Sequence, residues 1–226
     1  MRTSEKRRRE KRKEYNHAMR TKGYKPATPR KEWIQTFTGA EFFPLAPEEN
    51  KIRLADIAHA LALVCRFTGH VRSFYSVAEH SVRVSMLAEK YAERNAPTDK
   101  ARALMVAKWG LIHDASEAYL ADIASPIKSQ PVFALYREAE KRLQTMIAVA
   151  CGLPAEEPPE VKEADRIMCA TEAHVLMTAH PAWAALGEPI TPASPYAEIV
   201  ADLGWQASFA EGRFLTRFEA LAARTE

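Results

Sequence analysis

The chain has 226 residues, 47% hydrophobic and 27% charged, a balance that supports one ordinary globular domain able to bury a real core. Its three cysteines, Cys65, Cys151 and Cys169, form no CxxC pair and leave an odd thiol, which disfavours a disulfide framework and a cysteine-based zinc site and fits a reducing compartment. Charges interrupt every apolar stretch before a bilayer is spanned, and no apolar run follows the basic N-terminus, so a cytoplasmic protein with no membrane partner is expected.

The net charge of +3 is unevenly spread: residues 1–31 hold 13 Lys and Arg against 3 Glu, a local +10 that leaves −7 for the rest. The run Lys6-Arg7-Arg8-Arg9-Glu10-Lys11-Arg12-Lys13 repels itself and buries nothing, which reads as a solvated N-terminal arm. The sharper reading is non-specific nucleic-acid contact. With few aromatics interleaved, such contact would be phosphate-directed and salt-sensitive.

In chain order, residues 34–43 suggest a short hairpin or extended cap turning at Gly39. From Arg53, Leu54, Ile57, Ala58, Leu61 and Val64 recur at three- and four-residue intervals, a helix ending near Thr68-Gly69 with Arg66 at its end. A second helix runs from Ser76 to Asn95 with Val77, Val84 and Leu87 as its stripe, and Pro97 closes it. The third starts near Thr98, carries Leu104, Ala107 and Leu111, and continues through His113-Asp114 to Tyr119; a loop, 122–128, follows. A fourth spans Val132 to Cys151 and is stopped by Gly152 and Pro154. Pro158-Pro159 opens a fifth, with Val161, Ile167, Met168, Val175 and Leu176, toward Ala179. Residues 187–195 read as a linker to a last amphipathic helix, Gln206 to Ala223, through Phe209, Phe214, Phe218 and Leu221. The organisation expected is an arm over 1–31, a core over 32–186, and a linker with a C-terminal helix over 187–226.

His80, His113, Asp114 and Asp165 are candidate metal ligands on separate helical segments. Each has an ordinary alternative. His80 alone reads as a satisfied histidine, and Asp165 as a surface ion pair with Lys162 or Arg166. The His113-Asp114 pair follows an apolar run, and burying an imidazole beside a carboxylate is costly unless something satisfies both; a divalent cation would.

The order His, His-Asp, distant Asp resembles the HD-domain metal-dependent phosphohydrolases. The segments Cys65-Arg66-Phe67, Val77-Ala78-Glu79-His80-Ser81, His113-Asp114-Ala115-Ser116-Glu117, Asp122-Ile-Ala-Ser-Pro-Ile-Lys128 and Glu163-Ala164-Asp165-Arg166 are similar to the 5′-deoxynucleotidase branch of that family, to which phage deoxynucleoside triphosphohydrolases are related. The resemblance covers about residues 52–183 and implies an all-α HD-domain bundle. It further implies that His80, His113, Asp114 and Asp165 hold one divalent transition-metal ion (Mn, Co, Zn, Fe or Ni), for which two imidazoles and two carboxylates are a suitable borderline-hard set.

By the same resemblance Glu117 and Asp122 are the catalytic carboxylates. Glu117, three residues after Asp114 and four after His113, shares their face on a continuing helix. Arg66 and Phe67 match a substrate-binding pair, an arginine for phosphate oxygens and an aromatic that crowds a ribose 2′-hydroxyl; here the aromatic is Phe where Trp is more familiar. Lys128 is a further candidate phosphate contact. His59, His70, His174 and His180 read as ordinary histidines. The function expected is hydrolysis of phosphate from a deoxynucleoside mono- or triphosphate, a small-molecule substrate, by a homo-oligomer. The alternatives are a cyclic or linear dinucleotide phosphodiesterase, and a nucleic-acid-binding HD protein with little activity.

Overall fold

The computed structural model describes residues 32–224, so the arm expected over 1–31 lies outside the described residues. The described chain is all-α apart from one short hairpin, β1 (Ile34–Gln35) and β2 (Glu41–Phe42), antiparallel with Ile34 opposite Phe42 and turning at Gly39, whose φ of 82° suits only glycine comfortably. The helices are α1 (Leu54–Leu63), α2 (Val77–Asn95), α3 (Lys100–Ile112), α4 (Glu117–Leu120), α5 (Ser125–Lys128), α6 (Ala134–Ala150), α7 (Pro159–Leu176) and α8 (Ala207–Ala223).

Helix α2 is the axis of the bundle: it packs most extensively on α3 and also on α1, α7 and α8. Ser76 caps it, its hydroxyl accepting from the Glu79 N–H, and Asp99 caps α3 by accepting from the Arg102 N–H. Because α2 is surrounded, its polar residues are buried as well, including Glu79, His80, Arg83 and Ser85, and burial obliges each to find partners. Arg83 donates to Glu79 and to the carbonyls of Ile199 and Asp202, and its guanidinium lies 4.4 Å from the Trp205 ring. The Glu79 carboxylate in turn accepts from the backbone N–H of Gly204 and Trp205. This pair therefore fastens the segment before α8 to the core, where Ile199, Ala210, Phe214 and Leu221 are buried.

Four features depart from the periodicity. The first helix stops at Leu63, not near Gly69: Cys65 pairs with Ser76 as an isolated bridge, and Arg66 N–H donates to the Tyr75 carbonyl. Arg66 is thus off the helix, in a tight turn where Phe67, Thr68 and Gly69 all have positive φ (54°, 55° and 78°). The third helix breaks at His113 and restarts at Glu117, joined by i to i−3 turns from Ile112 to Ala115 and from Asp114 to Glu117. Residues 125–128, expected as loop, form the one-turn α5 opened by Pro126. Val175 and Phe209, expected on apolar stripes, are exposed; Phe209 instead packs edge-on against Trp205. No described helix is long and apolar enough to cross a membrane.

Candidate metal centre

The interior face of α2, the end of α3, the break after it and the middle of α7 converge. His80 Nε2 lies 3.2 Å from His113 Nε2 and 3.1 Å from Asp165 Oδ1. Asp114 Oδ2 is 3.2 Å from His113 Nε2 and 3.7 Å from His80 Nε2. The ion pairs that offered Asp165 an ordinary role are made by others: Arg166 pairs with Glu163, and Lys162 with Glu157. His80 is sealed while the Asp165 side chain is 43% exposed, so the group opens to solvent on its carboxylate side.

Both histidines have their other nitrogen committed. His80 Nδ1 is 2.7 Å from Glu172 Oε1, and His113 Nδ1 is 2.8 Å from the Gly110 carbonyl; each partner only accepts, so each Nδ1 donates. That leaves the two Nε2 atoms facing each other across 3.2 Å, where neutral rings would set lone pair against lone pair and only a proton or a cation between them gives attraction. Two nitrogens bound to one ion at about 2.0–2.1 Å stand roughly 3.0–3.4 Å apart, and the observed gap falls inside that window. The residues fit a divalent cation.

The electrostatics agree. Burial opposes a charged His113, yet Asp114 and then Asp165 outweigh it and push the imidazole up to about 10. Burial also works against an ionised Asp114, but His113, His80 and Arg66 hold it well below the usual carboxylate range. With no cation the group supplies its own positive charge as protons.

Around this set stand the other candidates. Arg66 donates from Nε to Glu172 Oε2 at 3.1 Å, and its Nη1 is 3.5 Å from Asp114 Oδ2. Phe67 carries its ring 5.5 Å from that guanidinium and meets Trp183 edge-on, at a backbone position whose positive φ costs a non-glycine residue roughly 1–2 kcal/mol, strain of the kind that collects at functional sites. Glu117 is buried, and its Oε2 finds no hydrogen-bond partner. Burial, then the negative charges of Asp114 and Asp122, raise its pKa well above the usual range. Asp122 is raised more mildly, by burial and Asp114 against Arg66 and Lys128. Lys128, considered as a phosphate contact, pairs with Glu140 at 2.8 Å and stands 3.9 Å from Glu117 Oε1. His59 is elsewhere, stacked on Phe37 and paired with Glu211.

Sequence reasoning missed three supporting residues. Tyr75 donates to Glu172, Glu172 accepts from His80 and Arg66, and Gln144 holds the backbone around His113 and Asp114. Gln144 donates to the Ile112 carbonyl (2.6 Å) and accepts from Ser116 N–H (3.0 Å), bridging the break that carries His113 and Asp114. Glu172 had a signal: it lies two helical turns beyond Asp165, on the same face, as a lone charge among Ala170, Ala173 and Leu176. A cleft of about 430 Å³ opens beside His113, with Lys141, Lys162 and Glu157 among its lining residues.

Residues 65–163 match the HD-domain family. An uncharacterized protein of Escherichia coli strain K12, YfdR, is 32% identical over 191 residues, which span 84% of this chain and 96% of that protein. An uncharacterized protein of Rhodobacter capsulatus is 34% identical over 137 residues, 60% of this chain and 66% of that protein.

Proposed function

Because the chain belongs to the HD-domain family, typically metal-dependent phosphohydrolases, we propose that it hydrolyses phosphate from nucleotides, with deoxynucleoside mono- or triphosphates as substrates. The observation that carries this reading is the facing pair of imidazole Nε2 atoms, each ring fixed from behind, beside the carboxylates of Asp114 and Asp165. A divalent cation bound by His80, His113, Asp114 and Asp165 supplies Lewis-acid charge to a phosphate oxygen and acidifies water.

The protein's own residues do the rest. Arg66, anchored by Glu172 and next to Asp114, offers its guanidinium to phosphate oxygens and offsets the charge that grows as phosphorus is attacked. Water adds to phosphorus and the bond to the leaving oxygen breaks; Glu117 and Asp122 between them accept the proton from water and return one to that oxygen. Burial, with Asp114 and Asp122 nearby, gives Glu117 the high proton affinity such a shuttle needs, and its Oε2 is free of any competing hydrogen bond. Lys128, between Glu140 and Glu117, places a positive charge beside Glu117 and is the further candidate contact for phosphate. Phe67 stands beside Arg66, where the family resemblance expects the aromatic that crowds a ribose 2′-hydroxyl.

A panel of deoxy- and ribonucleoside mono-, di- and triphosphates, each with Mn, Co, Zn, Fe or Ni and with products separated by chromatography, tests the reading. Phosphate release from deoxynucleotides that disappears in Asp114→Ala is expected. No release from any member with any ion would refute it.

A further inference from the structure

We propose that Glu172 is a positioning residue that holds the metal-facing histidine and the phosphate-facing arginine with one carboxylate, so that cation and anion affinity depend on the same buried group. This rests on the cation site proposed above and adds to it how the two halves are held in register.

Glu172 is fully buried on α7 and receives three donors. Oε1 accepts from Tyr75 Oη (2.8 Å) and His80 Nδ1 (2.7 Å), while Oε2 accepts from Arg66 Nε (3.1 Å). Each oxygen therefore has its own task. Oε1 keeps the His80 ring turned so that Nε2 presents its lone pair to the space shared with His113; without an acceptor behind it, that ring could rotate or take the other tautomer and offer an N–H where a cation needs an electron pair. Oε2 fixes the guanidinium from its Nε edge, which aims the terminal nitrogens toward Asp114 and the open side of the group.

A carboxylate is required because all three partners are donors. Glutamine at 172 has the same shape but a single acceptor oxygen. Turned toward His80 and Tyr75, that oxygen leaves the amide NH2 facing the Arg66 Nε–H, donor against donor. Turned toward Arg66, it leaves the NH2 facing His80 Nδ1–H and drives the ring to the tautomer that cannot ligate. Either way one half of the site is lost.

The test uses ion-stripped wild type, Glu172→Gln and Tyr75→Phe, with folding checked by circular dichroism and thermal melting. Calorimetric titration with Mn2+, then with inorganic phosphate on the Mn2+-loaded protein, reads the two halves separately. Glu172→Gln should weaken one of these affinities by roughly 10–100-fold, the range for removing a carboxylate behind a ligating histidine. Tyr75→Phe leaves both key contacts and should change neither by as much as about tenfold. A folded Glu172→Gln protein with both affinities within about tenfold of wild type, or an equal loss in Tyr75→Phe, overturns the role given to Glu172 while leaving the cation site standing. A wild-type protein that binds no Mn2+ overturns both. Should Glu172→Gln not fold, wild type labelled with 15N-histidine and loaded with Zn2+ decides: His80 Nδ1–H should be a downfield, slowly exchanging resonance, and rapid exchange there would dismiss the clamp.

Discussion

Replacing Gly110 with alanine separates the packing of this bundle from the chemistry it supports. Gly110 is where α3 crosses α2: a methyl there would stand 2.9 Å from Ser85 Cα, 3.2 Å from Ser85 N and 3.3 Å from the Val84 carbonyl, all backbone atoms that cannot swing aside. Ordinary contact begins at 3.4 Å, so the helices must part by about 0.5 Å. Overpacking of this kind costs about 1–3 kcal/mol, while alanine in a helix interior recovers about 1 kcal/mol relative to glycine. The net loss is then up to about 2 kcal/mol, a fall in Tm of at most roughly 8 °C for a protein of this size.

The same movement carries function, because the Gly110 carbonyl holds His113 Nδ1 and the gap between His80 and His113 spans these two helices. Adding half an ångström to that gap reaches the tolerance of a preorganised site, roughly 0.5 Å, and Mn2+ affinity should fall. Gly212 on the exposed face of α8 is the internal control: nothing lies within 4 Å of its added methyl, so Gly212→Ala should stabilise by about 1 kcal/mol. Thermal melts and Mn2+ titrations of both variants provide the comparison. Equal or greater stability in Gly110→Ala, with unchanged ion affinity, would refute the claim that this close crossing sets the ligand spacing.

Four further outcomes are expected. Glu117→Gln should retain the cation yet lose turnover by roughly 10²–10⁴-fold, measured as ion content against phosphate release; wild-type turnover removes Glu117 from the mechanism. Since Asp114 and Asp165 outweigh burial and push His113 up to about 10, a cation must displace its proton, so apparent Mn2+ affinity should rise by roughly tenfold per pH unit per proton displaced below that value. In the ion-free protein the same raised pKa stabilises the fold fully below its ordinary 6.5, and the contribution is lost as pH rises through about 10; melts across that window check it. Gln144→Ala leaves the Ile112 carbonyl and Ser116 N–H without their bridge, which should cost about 1–3 kcal/mol and lower ion affinity, read by melting and titration.

Helix placement was legible because it is local. The apolar stripe of α2, the start near Ser76, the prolines that open α7 and Gly152 beyond α6 act within a turn or two of chain and placed these helices, while the all-α class was what the family resemblance implied. Two of the misreadings occur where a distant segment competes with local preference. Cys65 and Arg66 leave helical geometry to pair with Ser76 and Tyr75, and the run through His113 breaks because Gln144, on another helix, takes its backbone groups.

The sequence by itself determined the order of ligating and acidic residue types along the chain, their helical neighbourhoods and the resemblance to the HD-domain family, since these are properties of short segments and their spacing. Only the tertiary structure decided which atoms meet: that His80 and His113 face each other through Nε2, that Asp165 turns inward while Arg166 takes Glu163, that Lys128 is engaged by Glu140, and that Glu172 stands behind both His80 and Arg66. The reason is geometric. A helix dictates the direction of its own side chains, but the partner each one reaches depends on how α2, α3 and α7 cross, and that is set by the close packing of buried residues far apart in the chain.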